Sequence, residues 1–155
     1  RRLDHEHLLP AHVLLDLDLH FAVGEATHLG LAQPDAQLLA NRLGKRARKI
    51  FQEVEQGKHS IVVPLVVLEE TARLIERKVV RLSVPFRRWA EELDRSANFQ
   101  VQPYTIEILL ESVSLGAIRD PADKAIVASA RQLRCPLITA DELIRDGNWI
   151  DTVWD

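Results

Sequence analysis

Four carboxylates in this sequence, Asp16, Glu70, Asp123 and Asp141, end or border apolar segments where a neutral side chain would pack without penalty. In "RDPADKAIVASA" (119–130), Asp123 heads a stripe continued by Ile126, Val127 and Ala130. Those residues lie three, four and seven positions on, the spacing of one helix face. "HVLL" (12–15) runs straight into Asp16, with Asp18 two further on, and "PLITA" (136–140) runs into Asp141 and Glu142. Glu70 borders the face formed by Val67, Leu68, Thr71, Ala72, Leu74, Ile75 and Val79. Glu69 lies on the other side with Arg73 four residues on, the geometry of a solvated ion pair. Brought together, such acids repel one another and stay ionised only if a cation neutralises them. Carboxylate oxygens without cysteine or histidine partners suit Mg²⁺ or Mn²⁺. An ion so held binds phosphate oxygens and activates water for in-line displacement at phosphorus. That is the chemistry of a nuclease or a phosphatase.

Each acid also has a plainer role open to it. Asp120 before Pro121 is an expected helix N-cap. Asp123, at the third helical position, could complete a capping box or favour the helix dipole. Asp141 could cap the short helix "ELIRD" (142–146). Asp16 has no capping role unless a helix starts there. His12 and His20 flank the first strand and read as ordinary surface or core residues.

The elements that must position these acids alternate along the chain. Strands are expected at 12–15, at "SIVVP" (60–64), at "FQVQPY" (99–104), at 136–140 and at "IDTVW" (150–154), the last as an edge. Helices are expected from about Asp35 to Gln56 and over 65–80. Others follow over 83–96 with a Ser83 cap, over 105–116 ending at Gly116, and from Asp120 onward. Strands alternating with helices predict an α/β three-layer sandwich, a mostly parallel sheet covered by helices on both faces. In such a sheet the site lies beyond the C-terminal ends of the strands. Asp16, Asp123 and Asp141 are steered to that rim by topology, and Glu70 follows the second strand.

Length and composition set the frame. The 155 residues, 46% hydrophobic and 28% charged, suit one globular domain over 1–155, with 1–10 expected to be a flexible or trimmed segment. The longest apolar run, "IVVPLVVL" (61–68), is too short to span a membrane, and no secretory signal is visible. The single cysteine, Cys135, can form neither an internal disulfide nor a zinc cluster and reads as a core residue. A cytoplasmic protein is expected. The net charge of −3 leaves nucleic-acid binding to local patches.

Taken in order, "VLLDLDLHF", "VPLVVLEETARLIERKVVRLSVPF" and "RDPADKAIVASARQLRCPLITADE" resemble a PIN domain, most closely a VapC-type toxin ribonuclease. The resemblance runs from about Ala11 to Trp154 and is strongest from Asp120 to Glu142. It implies that Asp16, Glu70, Asp123 and Asp141 form a site for Mg²⁺ or Mn²⁺ that hydrolyses RNA phosphodiester bonds. It also implies a homodimer and inhibition by an antitoxin encoded nearby. Two departures stand out. Leu17 and Asp18 occupy positions where the family often has Thr or Ser followed by Asn, His or Ser, and "GEATHLGLAQPDAQLLAN" (24–41) lengthens the segment after the first strand.

Phosphate contacts would come from "RLGKRARK" (42–49) and from Arg73, Arg77, Lys78, Arg81, Arg87 and Arg88, unless these only solvate helix faces. Aromatic content is 5%, so base stacking is inconspicuous, and Phe86 and Trp89 read as core or dimer contacts. Two other readings remain open at this stage. One is a haloacid dehalogenase-like phosphatase using Asp16 as nucleophile and Asp18 as acid/base. The other is a PIN-fold binding module without catalytic activity.

Overall fold

The chain runs β1 (His12–Leu15), α1 (Lys45–Glu55), β2 (Ser60–Pro64), α2 (Leu65–Glu76), α3 (Phe86–Arg95) and β3 (Phe99–Gln102). It continues through α4 (Ile106–Ser114), α5 (Pro121–Leu133), β4 (Leu137–Ile138), α6 (Glu142–Asp146) and β5 (Thr152–Val153). The computed structural model describes residues 12–15, 44–79, 81–82 and 84–155. The strands form one sheet in the order β3-β2-β1-β4-β5, every pair parallel. A parallel pair needs a crossover, and helices supply the described crossovers, as the alternating pattern predicts.

Burial explains why the sheet has helices on both faces. Successive strand residues point to opposite sides, yet Ile61, Val62, Val63 and Pro64 of β2 are all buried. Ala47, Phe51 and Val54 of α1 belong to the core, as do Val67 and Leu68 of α2, Trp89 and Leu93 of α3, and Ile126 and Val127 of α5. Trp89 is buried and lies 5.7 Å from half-buried Phe86, centroid to centroid, so this pair is core and not a base-stacking platform. Cys135 is buried too. Among the described residues no helix is long and apolar enough to cross a membrane.

The expected elements are present but several end early, each for a local reason. Helix α2 stops at Glu76 because Lys78 takes a left-handed φ of 60°. The Lys78 N–H then bonds the Ile75 carbonyl at 3.0 Å and the Val79 N–H the Leu74 carbonyl at 2.9 Å, a Schellman turn. Strand β3 ends at Gln102 because Pro103 has no N–H for the ladder. Thr105 caps α4 by accepting the Ile108 N–H, and that helix ends at Ser114 with Leu115 as its C-cap, short of the expected Gly116. Pro85 occupies the N-cap position of α3. Strand β4 keeps only Leu137 and Ile138, because the Thr139 hydroxyl turns to the backbone of Asp141. The expected stretch 35–43, the Ser83 cap and the 1–10 segment lie outside the described residues.

One close approach ties α1 to the sheet. The Trp154 carbonyl, just past β5, accepts the Ala47 N–H at 3.2 Å. Gly44 makes room for it, since a Cβ there would lie 1.9 Å from that oxygen. The first turn of α1 is thereby held at the C-terminal end of the sheet.

Candidate active site

Strand direction sets two of the candidate acids, Asp123 and Asp141, toward one edge of the sheet. Helix α5 runs back before parallel β4, so its first turn lies toward the C-terminal ends of the strands. Asp120 caps it, its Oδ1 accepting the N–H groups of Ala122 at 2.8 Å and Asp123 at 3.1 Å, with Pro121 opening the helix. The expected cap is therefore present, and it fixes the backbone of half-buried Asp123.

Asp141 follows β4 on the same edge. Its Oδ1 accepts the Ile144 N–H at 2.9 Å, so it caps α6. Its own N–H donates to Thr139 Oγ1 at 3.1 Å, and Thr139 is fully buried. The position of Asp141 is thus set from both sides. Thr139 is a supporting residue that reading the sequence passed over, although "LITADE" places a hydroxyl two positions before the acid.

Glu70 lies on α2, which begins directly after β2 and packs against α5. The Glu70 side chain is 34% exposed against 61% for Glu69, consistent with its place at the border of the apolar face. The Glu69–Arg73 pair expected from spacing is present at 2.6 Å. Arg73 also donates to Glu70 at 2.5 Å, so one guanidinium bridges both glutamates and a cation already faces Glu70.

Asp16, with Leu17, Asp18 and His20, lies outside the described residues, as does the 24–41 segment. Leu15, the residue before Asp16, is in register with Ile138, three positions before Asp141. Among the described residues no three Asp, Glu, His or Cys side chains form a group that could hold a metal ion. Glu70, Asp123 and Asp141 therefore do not make a complete metal site by themselves. Their oxygens have the hard character that Mg²⁺ or Mn²⁺ requires.

The basic residues divide into two kinds. Arg87 and Arg88 pair with Glu91 at 3.1 Å and Glu92 at 2.8 Å along α3, the solvated-face arrangement. Lys45 and Arg46 are exposed in the first turn of α1, which has no acidic residue and is pinned to the C-terminal edge by Trp154. Arg77, Lys78 and Arg81 are exposed beyond α2.

The PIN domain profile matches residues 37–148. No curated protein sequence matches the chain. Solved structures of similar shape include a chain of VapBC2 from Rickettsia felis, bound to a DNA fragment from its promoter. It shares 12% identity at a TM-score of 0.58, covering 93% of this chain and 99% of that one. FitAcB from Neisseria gonorrhoeae shares 13% identity at a TM-score of 0.55, covering 90% and 95%. VapC20 from Mycobacterium tuberculosis, described as a toxin that cleaves the sarcin-ricin loop, shares 14% identity at 0.55, covering 92% and 99%. Likeness at such identities is a likeness of fold.

Proposed function

The chain belongs to the PIN domain family, and from that premise we propose that it is a metal-dependent endoribonuclease of the VapC toxin type. The observation that carries the proposal is the join of family match and geometry. Asp123 and Asp141 stand at the C-terminal edge of the sheet, each beside a local device that fixes its backbone. In this reading Asp16, Glu70, Asp123 and Asp141 hold Mg²⁺ or Mn²⁺. The bound ion supplies Lewis-acid polarisation of the phosphoryl oxygen and a lowered pKa for water. Thr139 holds the Asp141 backbone and Asp120 that of Asp123. Lys45, Arg46, Arg77, Lys78 and Arg81 contact RNA phosphates, which orient the strand without reading its sequence. The protein acts in the cytoplasm. Its partner is an antitoxin whose Arg or Lys enters the acidic rim in place of the metal's charge.

The test is cleavage of RNA by purified protein in Mg²⁺ or Mn²⁺ and in excess EDTA. Asp16→Asn and Asp123→Asn should each lower cleavage by several orders of magnitude. Equal cleavage in EDTA, or full activity in both variants, overturns the assignment. A binding module of the same fold is the second reading. It is favoured by Leu17 at a position where the family often has a hydroxyl, and by the Arg73 guanidinium on Glu70. That reading expects no metal-dependent cleavage from folded wild-type protein.

A further inference from the structure

The ends of β2 and β3 meet at the C-terminal edge of the sheet. Pro64 and Gln102 are in register there, one strand spacing of about 4.8 Å apart. Helix α2 starts directly after Pro64. The N–H groups of Leu65, Val66 and Val67 open that helix, where no carbonyl one turn back exists to accept them. Pro64 has no side-chain acceptor, and the first turn holds no acid. Gln102 is only 6% exposed, and its Oε1 is buried without a hydrogen-bond partner. Side chains in register point to the same face of a sheet, so the Gln102 amide stands beside the turn where β2 becomes α2. A buried acceptor left unmet is costly, and folded proteins keep few of them. Tyr104, two residues past Gln102, is 47% exposed at the same corner.

We infer that this corner is a ribonucleotide subsite that tells RNA from DNA through Gln102. The donors decide one half of the ligand. N–H groups at a helix N-terminus, with no carboxylate among them, suit a phosphate oxygen. The acceptor decides the other half. A phosphodiester offers no proton to Gln102 Oε1, so that oxygen needs a neutral donor next to the phosphate. A ribose 2′-hydroxyl beside its own 3′-phosphate is such a donor, and deoxyribose lacks it. The terminal torsion of glutamine is soft, so the amide turns to the rim as the hydroxyl arrives. Tyr104 offers an aromatic face that any base can use. Glu70 stands five residues into the same helix, about 7.5 Å along its axis, so a strand held here passes toward the proposed metal acids. The inference rests on the nuclease reading for its ligand class and adds the residue that recognises ribose.

The test is fluorescence anisotropy of the full chain with a labelled single-stranded RNA of mixed sequence and with DNA of the same sequence. EDTA prevents metal-dependent cleavage, and low salt favours phosphate contacts. Wild type should bind the RNA roughly fivefold more tightly than the DNA, the worth of one hydrogen bond to a buried acceptor. Gln102→Leu puts an apolar side chain of like size in a buried place and should bind both strands alike. Leu65→Asp should weaken both several-fold while its melting midpoint holds or rises, because an acid in the first turn repels phosphate but favours the helix. Equal binding of RNA and DNA by wild type, binding of neither, a preference kept by Gln102→Leu, or undiminished binding by Leu65→Asp overturns the inference. Cleavage in Mg²⁺ or Mn²⁺ is measured apart. A protein that prefers RNA and never cuts it refutes the nuclease reading alone, and one that cuts RNA without the preference refutes only the subsite.

Discussion

Asp141 is the residue at which a structural and a chemical duty can be separated by substitution. Its Oδ1 accepts the Ile144 N–H at 2.9 Å and begins α6. Asn offers the same kind of oxygen and ranks beside Asp as an N-cap, whereas Ala offers none, at a cost of about 1 kcal/mol. For a chain of this size each kcal/mol moves the melting midpoint by roughly 2–4 °C. In EDTA, Asp141→Ala should therefore melt about 2–4 °C below wild type, and Asp141→Asn should change by only a few tenths of a kcal/mol. Mn²⁺ at about a hundred times its dissociation constant stabilises a binding-competent native state by about 2.7 kcal/mol, or roughly 5–11 °C. Wild type should show that gain, and both variants should lose most of it. Thermal melts of the three proteins at neutral pH, each in EDTA and in Mn²⁺, measure all six values. An Asn variant that gains as much from Mn²⁺ as wild type does would show that Asp141 is a cap and no ligand. The four-acid site would then be wrong.

Two further substitutions probe the supports of the rim. Asp120→Ala leaves the N–H groups of Ala122 and Asp123 without their acceptor and should cost about 1 kcal/mol in urea unfolding, while Asp120→Asn retains most of the stability; equal loss in both would refute the cap. Gly44→Ala places a methyl group against the Trp154 carbonyl, an overpacking expected to cost about 1–3 kcal/mol, and an unchanged urea midpoint would show that the C-terminal segment yields freely.

The strands were the most legible part of the fold. "HVLL" and "SIVVP" are β1 and β2 to the residue, because an acid follows the first run in the sequence and Pro64 closes the second. "PLITA" was read too long, since nothing in its composition says that Thr139 spends its hydroxyl on Asp141. The stop of α2 was hidden because Lys78, not glycine, occupies the left-handed position. Of the site, the Asp120 cap and the Glu69–Arg73 pair followed from spacing alone. The second arm of Arg73, onto Glu70, fits a spacing of three residues just as well, since both i,i+3 and i,i+4 partners lie on one helix face. The apolar residues on two sides of α4 are visible in "TIEILLESVS", but which side meets α5 is a tertiary fact.

The plain and the proposed chemical roles of these acids are not rivals. A carboxylate has two oxygens and about four acceptor sites. Asp141 uses one oxygen on a helix N–H, and the same hydrogen bond restricts its rotamer before any ligand arrives. Asp120 restrains the backbone of Asp123 in the same way. Capping is how this fold can hold acids still on an edge where loops would otherwise let them turn away from one another. Arg73 solves the companion problem of charge. With Glu69 and Glu70 both on its guanidinium, the helix carries adjacent acids without leaving their repulsion uncompensated. A cation that draws Glu70 away leaves Arg73 with Glu69, so the exchange strands neither charge. One guanidinium thus offsets part of the repulsion between the two acids of α2, and in the nuclease reading a bound cation that takes Glu70 would cost a single exposed arm of that bridge.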